Sequence, residues 1–503
     1  MPLGRAHTYI SEVKFILSSP YIFGIHGQIE FTIYIHLPSK FNIPMRYIGE
    51  IYLAAYKRAQ EGKEVIYTNV GNPHALGQTP MTFPRQVISL CVSPFLLKDP
   101  RVLQLFPPDV IARAKLYLEK VKSVGAYQDS RGNAYIRNEV KNFIERQPGV
   151  KVASADNIFI SNGASEVVRS ALNAMIRGPR DGIMTPIPQY PLYSASIGLY
   201  GGSLVPYFLE ESEGWSLTRR ALDDAYNQAK SKGVTPRGLV FINPGNPTGQ
   251  CLTEDNLKEI ITFCVEKGIV IMADEVYQDN IYNSKLPFVS ARATLAKMPR
   301  EIQEKAEMIS FHTVSKGYMG ECGMRGGYME IYNMDKSLLE QLYKMSSINL
   351  SPNVVGQLAV GLMVNPPKPG DPSYPLFQKE KNDTLESLKR RARRMTDAFN
   401  SMEGVSCEEV DGAMYAFPNL TLPPKAIEAA KAAGKSPDVF YCLELLHATG
   451  LSCVPGSGFR QAPGTFHIRT TILPMEDQFD DIVGRFTSFH KDFMAKYGSR
   501  SRL

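Results

Sequence analysis

The sequence predicts an α/β fold, with parallel strands that are covered by helices. Between about residues 105 and 360, short runs rich in β-branched and apolar residues alternate with helix-length segments. These runs are apolar on both faces, which is typical of strands buried between helices. The predicted strands are residues 157–161, 182–185, 238–243, 268–273 and 308–312.

The remainder of the chain predicts a second, smaller α+β domain, because a long charged helix, mixed strands and a final helix follow a proline-rich boundary at 366–375. We predict an N-terminal extension over 1–44, an arm with part of the small domain over 45–104, a large domain over 105–365 and a small domain over 366–503. Individual elements are predicted as a strand at 31–35 without an obvious partner, helices at 48–61 and 376–401, and a strand at 65–70.

The composition excludes several classes of protein. The formal net charge of +6 is small for 503 residues, and the basic residues are scattered, so no nucleic-acid partner is expected. The densest basic run, 389–394, is predicted to be the exposed face of a helix. No apolar stretch reaches the roughly 18 to 20 residues that a membrane span needs, so no membrane partner is expected.

Cysteine usage and the N-terminal segment bear on the compartment. The seven cysteines form no Cys-x-x-Cys pair, which favours a reducing compartment over a disulfide framework, and no metal site is expected. The N-terminal segment lacks the Arg-rich, amphipathic character of a transit peptide. We therefore expect a cytoplasmic protein, with the mitochondrion as the alternative.

Three polar motifs follow predicted strands, where ligand groups collect in an open α/β sheet. The turn at 243–249 holds the Asn246 amide where it can donate a hydrogen bond. Asp274 and Tyr277 follow the next strand and are predicted to lie one helical turn apart on one face. Lys316 follows the last predicted strand, with Arg325 in a glycine-rich segment close behind. Taken singly, each motif is explained by a turn or a helix cap, but their order indicates a ligand site.

These motifs are similar to those of the fold-type I pyridoxal-phosphate-dependent enzymes related to aspartate aminotransferase, and more narrowly resemble the alanine aminotransferases. The resemblance runs from about residue 45 to the C-terminus. It rests on the segments 71–73, 186–193, 274–280, 315–327 and 454–459. It implies a large domain with a mixed, mostly parallel seven-stranded sheet between helices, a smaller α+β domain, and a homodimer with shared active sites.

The resemblance assigns catalytic roles within a pyridoxal 5′-phosphate site. It implies that Lys316 carries the cofactor as a Schiff base and, once freed, moves the substrate's Cα proton. Asp274 would pair with the pyridine nitrogen of the cofactor. Tyr277 and Asn246 would hydrogen-bond the 3′-oxygen, and Tyr190 would stack on the ring.

The cofactor phosphate and the substrate carboxylate have their own implied partners. Ala164 and Ser165 begin a predicted helix, and their backbone amides are suited to bind a phosphate. Thr313, Ser315 and Arg325 would bind the same phosphate, and Arg325 can contact two oxygens at once. The resemblance further implies that Tyr127 reaches the phosphate of the other subunit, that Arg469 binds the substrate's α-carboxylate, and that Asn246 and Gly71 contribute to the substrate site.

Three positions depart from the family pattern. Thr313 replaces a usual serine and keeps the hydroxyl. Arg460 follows Phe459 where glycine is usual, so we expect the loop near the substrate carboxylate to be altered. The entry to the first predicted helix, 45–49, matches poorly.

The resemblance implies an aminotransferase that moves an amino group between L-alanine and 2-oxoglutarate, giving pyruvate and L-glutamate by a ping-pong mechanism. Glutamate:glyoxylate aminotransferase is the alternative within the same chemistry, and a lyase such as aminocyclopropane-carboxylate synthase is a further one. A non-catalytic binding protein on this fold is the alternative from another class. The preference for alanine follows from the resemblance alone.

Overall fold

The computed structural model describes residues 10–17, 29–36 and 46–498, with side chains from 49 onward. The first two strands, β1 (Ile10–Leu17) and β2 (Ile29–His36), pair with each other in an antiparallel ribbon. The strand predicted at 31–35 therefore has a partner, and the expectation that it lacks one is wrong. The strand predicted at 65–70 is much shorter, since β3 comprises Ile66–Tyr67.

A mixed seven-stranded sheet forms the centre of the molecule and confirms the predicted fold class. Its strands lie in the order β4-β10-β9-β8-β7-β5-β6, and β10 is antiparallel to both of its neighbours while the other pairs are parallel. The strands are β4 (Ile158–Ser161), β5 (Asp181–Ile187), β6 (Ser203–Phe208), β7 (Thr235–Ile242), β8 (Val270–Asp274), β9 (Met308–Thr313) and β10 (Gly327–Tyr332). Sequence patterns did not predict β6 and β10. β6 is an edge strand that contains Pro206, and β10 contains the buried Glu330, so neither has the continuous apolar pattern of the others.

Helices cover both faces of the sheet, as the apolar strands predicted. The helices before the C-terminal region are α1 (Arg46–Gln60), α2 (Thr82–Val92), α3 (Pro100–Leu105), α4 (Pro108–Val121), α5 (Ala134–Ile144), α6 (Ala164–Met175), α7 (Pro191–Leu199), α8 (Arg219–Ser231), α9 (Glu254–Lys267), α10 (Ala291–Lys297), α11 (Arg300–Lys305), α12 (Lys336–Ser347) and α13 (Val354–Val364). On β4, Ile158 and Ile160 pack into a cluster with helices α2, α4, α5 and α13, whereas Phe159 between them packs with α6 and α7 on the opposite face.

The C-terminal region combines four helices with short strands. The helices are α14 (Tyr374–Asn400), α15 (Pro424–Ala432), α16 (Pro437–Thr449) and α17 (Glu476–Tyr497), and the strands are β11 (Val405–Ser406), β12 (Tyr415–Ala416), β13 (Asn419–Leu420), β14 (Leu451–Ser452), β15 (Val454–Pro455) and β16 (Ile468–Thr471). β12, β16 and β15 form one small sheet, and β14 pairs in parallel with β3 from the N-terminal region. The chain before the large sheet therefore contributes to the C-terminal layer.

One basic residue of the run at 389–394 is buried and does not lie on the exposed helix face that the sequence predicts. Arg391 is 3% exposed and donates hydrogen bonds to the carbonyl oxygens of Leu473 and Pro474. These contacts tie α14 to the segment before α17. Among the described residues, no helix is both long enough and apolar enough to cross a membrane.

Candidate active site

A cavity of about 220 Å³ lies at the carboxyl ends of β7, β8 and β9, facing the N-terminus of α6. Ten of the thirteen predicted site residues line it. They are Ala164, Ser165, Tyr190, Asn246, Asp274, Tyr277, Thr313, Ser315, Lys316 and Arg325. Gly71 and Arg469 contact these residues, because the Gly71 carbonyl accepts a hydrogen bond from Lys316 and Arg469 donates one to Asn246. Tyr127 does not line the cavity and is exposed.

Lys316 is held in the turn that follows β9. Its neighbour Gly317 has a positive φ of 66° and donates its backbone N–H to the Asn280 side chain at 2.8 Å, which fixes the turn. The Lys316 Nζ donates to the Gly71 carbonyl oxygen at 3.1 Å. Burial alone lowers the pKa of the Lys316 amine, yet the Tyr415 phenol, the Cys322 thiol and the Tyr190 phenol hold that pKa above its ordinary value.

Asp274 is the last residue of β8 and is 5% exposed. The Tyr193 hydroxyl donates to its carboxylate at 2.6 Å. Burial raises the pKa of Asp274 to about 6, although the hydrogen bond from Tyr193 opposes this shift. A buried carboxylate without a positive partner at its other oxygen is suited to pair with a cationic group in the cavity.

The geometry between Asp274 and Tyr277 corrects one prediction. Residues 276–279 form a turn rather than the predicted helical turn, because the backbone N–H groups of Gln278 and Asn280 donate to carbonyls three residues back and not four. Both side chains nevertheless line the cavity, and the Asn246 amide donates to the Tyr277 hydroxyl at 3.5 Å.

The N-terminus of α6 forms an anion-binding corner with Arg325. Gly163 has a φ of 88°, and a Cβ there would lie 2.2 Å from the Arg325 Nη2, so the guanidinium packs directly on the backbone. Arg325 donates to the Asn162 carbonyl at 3.1 Å and toward the Ser315 hydroxyl at 3.4 Å. Thr313 donates to the Ser315 hydroxyl at 3.2 Å. Helix amides, hydroxyls and a guanidinium together suit a phosphate group.

Arg469 lies on β16, at the other side of the cavity. It donates to the Asn69 carbonyl oxygen at 2.6 Å and to the Asn246 side-chain oxygen at 3.0 Å. Within residues 49–498, its buried Nε has no hydrogen-bond partner. Because a guanidinium has five N–H donors, Arg469 retains donors for a carboxylate ligand.

The departure at Arg460 does not reach the cavity lining. Arg460 is exposed and has a positive φ of 59°, a backbone conformation that non-glycine residues adopt at a cost. Phe459 before it is buried, and the Arg469 guanidinium lies 4.7 Å from its ring centroid.

Sequence reasoning missed several residues of the site. Tyr415 and Cys322 line the cavity, and Tyr193 supports Asp274 from behind. A Cβ on Gly71 would lie 2.2 Å from the Tyr415 hydroxyl oxygen, so the glycine is required by the close approach of this side chain. Tyr193 was recognisable from its place in the motif at 186–193, whereas Tyr415 is 138 residues from Tyr277 and belongs to no local motif.

Tyr127 is 81% exposed and does not reach the cavity of its own chain. The loop that contains it is attached to the loop after α12, since Ser130 donates to the Leu350 carbonyl oxygen at 2.7 Å. Ile348 and Leu350 in that second loop are also exposed. The two loops therefore lie side by side and together expose an apolar surface formed by Tyr127, Ile348 and Leu350.

Comparison with known proteins identifies the group to which this arrangement belongs. Residues 85–485 match the family described as aminotransferase class I and II. The chain is 56% identical to glutamate–glyoxylate aminotransferase 2 of Arabidopsis thaliana over 89% of its length and 93% of the relative. It is 50% identical to alanine aminotransferase 2 of Panicum miliaceum over 86% of its length and 90% of the relative. The solved structure of an aminotransferase from Escherichia coli has the same fold, with a TM-score of 0.72, 24% identity, and coverage of 91% of this chain and 99% of the other.

The raised pKa of Asp274 predicts a stability cost that a substitution removes. A carboxyl group with a pKa of 3.8 when unfolded and about 6 when folded destabilises the folded protein as pH rises past the lower value. The cost is absent below about pH 3 and complete above about pH 7. We expect Asp274→Asn to raise the free energy of unfolding of the ligand-free protein by about 3 kcal/mol at pH 7 and by less than about 1 kcal/mol at pH 4.

Urea unfolding at the two pH values measures this difference. Asp255→Asn, at an exposed position of α9, is the matched control and is expected to change neither value. An Asp274→Asn variant that is less stable than the parent at pH 7 would contradict the account of the buried carboxyl.

Proposed function

The chain belongs to the class I and II aminotransferase family, and on this premise we propose that it moves the amino group between L-alanine and 2-oxoglutarate, giving pyruvate and L-glutamate. The proposed reaction is a ping-pong exchange in which the amino donor leaves as an oxo acid before the acceptor binds. The observation that carries the proposal is the meeting of Lys316, Asp274, Arg325 and Arg469 around one cavity.

Enzymes of this family depend on pyridoxal phosphate, which supplies an electron sink for chemistry at the Cα of an amino acid. The residues around the cavity fit this group. The corner formed by Arg325, Ser315 and the amides of Ala164 and Ser165 would hold the phosphate, with Thr313 supporting Ser315. Gly163 keeps this corner free, because a Cβ would collide with Arg325.

The ring-binding residues lie between the phosphate corner and Arg469. Asp274 would pair with the pyridine nitrogen, and a positive partner there would offset the burial that raises the pKa of this carboxyl. Tyr193 orients Asp274 through its hydrogen bond of 2.6 Å. Tyr277 and Asn246 would hydrogen-bond the 3′-oxygen, and Tyr190 would stack on the ring.

Lys316 is the proposed attachment point of the cofactor and the proposed base. Its Nζ donates to the Gly71 carbonyl, so the amine is directed toward Gly71, in the proposed substrate site where the substrate's Cα would lie. An amine in this position can hold the proton taken from Cα and return it. The position of Gly71 beside Lys316 supports a role for this residue in the substrate site.

Arg469 is the proposed partner of the substrate's α-carboxylate. Its buried Nε without a partner supports this role, since an orphaned buried donor of a charged group is costly unless a ligand satisfies it. The Asn246 side-chain oxygen, 3.0 Å from Nη1, orients the guanidinium. Asn246 would thus link the carboxylate and cofactor ends of the site.

Glutamate:glyoxylate transamination is the second candidate, and sequence identity favours it. The relative named for that activity is 56% identical to the chain, against 50% for the relative named as an alanine aminotransferase. Both activities use the same cofactor chemistry and the same carboxylate site. They differ in whether the acceptor carries a methyl group, as pyruvate does, or a hydrogen, as glyoxylate does.

We also propose that two chains share each active site. The exposed Tyr127, together with the exposed Ile348 and Leu350 beside it, supports a contact with a second copy. In that arrangement Tyr127 of one subunit would reach the phosphate held by the other.

Initial rates with a common donor distinguish the two candidate activities. With L-glutamate as donor, we expect kcat/KM to be about tenfold or more higher for pyruvate than for glyoxylate, because a methyl group that fills its pocket is worth about 10- to 200-fold. A preference for glyoxylate by a similar factor would replace the alanine assignment with the second candidate. Failure with both acceptors, in protein whose visible absorption shows bound cofactor, would contradict the proposed function itself.

Hybrid dimers test the shared site. Lys316→Ala alone is expected to lower kcat by about 10²- to 10⁴-fold, through loss of the base and of the covalent attachment. Tyr127→Phe is expected to weaken cofactor retention, so its activity falls at limiting pyridoxal phosphate. A hybrid of the two variants places an intact Lys316 and an intact Tyr127 in one of its two sites.

Activity in the hybrid is expressed per subunit that retains Lys316, at limiting cofactor. A shared site predicts that this value rises to roughly that of the unsubstituted protein. If it stays at the level of the Tyr127→Phe homodimer, then Tyr127 acts within its own subunit or elsewhere, and the shared site is wrong.

A further inference from the structure

Tyr415 is attached to the strand that carries Arg469. It begins β12, and its backbone pairs with Thr471 of β16, two residues beyond Arg469. Its side chain is 3% exposed and lines the cavity. The pairing places the phenol ring and the guanidinium on the same side of this small sheet, in contact with each other.

Tyr415 and Arg469 form a cation–π contact. The guanidinium carbon of Arg469 lies 4.1 Å from the centroid of Tyr415 and 4.7 Å from that of Phe459. Both hydrogen-bond acceptors of the guanidinium, the Asn69 carbonyl and the Asn246 amide oxygen, are neutral. Within residues 49–498, no carboxylate forms an ion pair with Arg469, which is 6% exposed. The ring faces therefore supply the electrostatic attraction that a buried cation needs.

The far end of the Tyr415 side chain is fixed as well. Its hydroxyl lies 3.3 Å from the Tyr277 hydroxyl, which donates to it. The Gly71 backbone packs so closely that a Cβ there would lie 2.2 Å from the Tyr415 oxygen. These contacts fix the hydroxyl end of the side chain, and the pairing of β12 with β16 fixes its backbone end, so the position of the ring beside Arg469 is defined.

We propose that Tyr415 is a positioning residue whose ring face holds Arg469 in the orientation that binds the carboxylate of both substrates. The inference rests on the proposed function and deepens it by adding a residue that acts through Arg469. Because alanine and glutamate share the α-carboxylate, the same ring serves both halves of the reaction. The ring, rather than the hydroxyl, performs this role.

Three variants separate the ring from the hydroxyl and from general destabilisation. Tyr415→Phe keeps the ring and removes the hydroxyl. Tyr415→Leu removes the ring face. Tyr441→Leu is the matched control. Tyr441 is also a buried tyrosine of the C-terminal region, 2% exposed, and its hydroxyl lies 3.0 Å from the His490 side chain. It does not contact Arg469.

The measured quantities are KM for L-alanine, KM for L-glutamate and the Kd of propionate, an unreactive carboxylate, determined by calorimetry on the cofactor-loaded protein. We expect Tyr415→Leu to raise all three by about 30-fold, the size of a desolvated cation–π contact. Tyr415→Phe and Tyr441→Leu are expected to leave them within about twofold. Visible absorption checks that each variant holds the cofactor.

The outcomes distinguish this inference from the proposed function. If the unsubstituted protein fails to turn over either amino acid, the proposed function is wrong, whatever the variants do. If it is active but Tyr415→Leu binds propionate normally, or Tyr415→Phe weakens binding as much as Tyr415→Leu, then the ring does not position Arg469 and the inference is overturned. An equal loss in Tyr441→Leu would likewise overturn it.

Discussion

Three neighbouring parallel strands end at one edge of the central sheet, and the rest of the site depends on that constraint. Asn246 follows β7, Asp274 ends β8, and Lys316 follows β9, so hydrogen bonding between the strands brings these residues together before any side-chain contact forms. The N-terminus of α6 opens toward the same edge, where its amides meet Arg325. The order of the strands thus determines the order of the groups: the anion corner at β4 and β10, the Lys316 amine after β9, the Asp274 carboxyl on β8 and the Asn246 amide after β7. Arg469 comes from β16 in the separate small sheet.

The cavity is built from groups that are costly for the folded protein to bury. Burial raises the pKa of Asp274 to about 6, against the hydrogen bonds that the carboxylate accepts from Tyr193 and the Val276 backbone. Arg469 is buried with neutral acceptors and two ring faces. Such groups are expected where a ligand completes the missing interactions, because the ligand then recovers stability that the protein alone does not have. The cost is therefore incurred in folding and recovered when a ligand binds.

Much of the site was predictable from the sequence because its residues occur in short motifs directly after strands. Lys316, Asp274 and Arg325 each lie within a few residues of a recognisable turn or glycine-rich segment, and ten predicted residues line one cavity. The strands β6 and β10 were missed because a proline and a buried glutamate interrupt their apolar pattern. Tyr415 was missed for a different reason. Its contacts arise from the pairing of two short C-terminal strands and from Gly71 far upstream, which no local pattern encodes.

The identity of the lysine that holds the cofactor is the central claim, since the assigned roles of the other residues follow from its place. The most direct measurement is reduction of the cofactor–lysine linkage in the loaded protein with borohydride, followed by peptide mapping by mass spectrometry. The account predicts one modified peptide, with the added mass on Lys316 in the segment 314–325 that follows β9. Modification at a different lysine, or none in protein that shows full visible absorption of the bound cofactor, would contradict it.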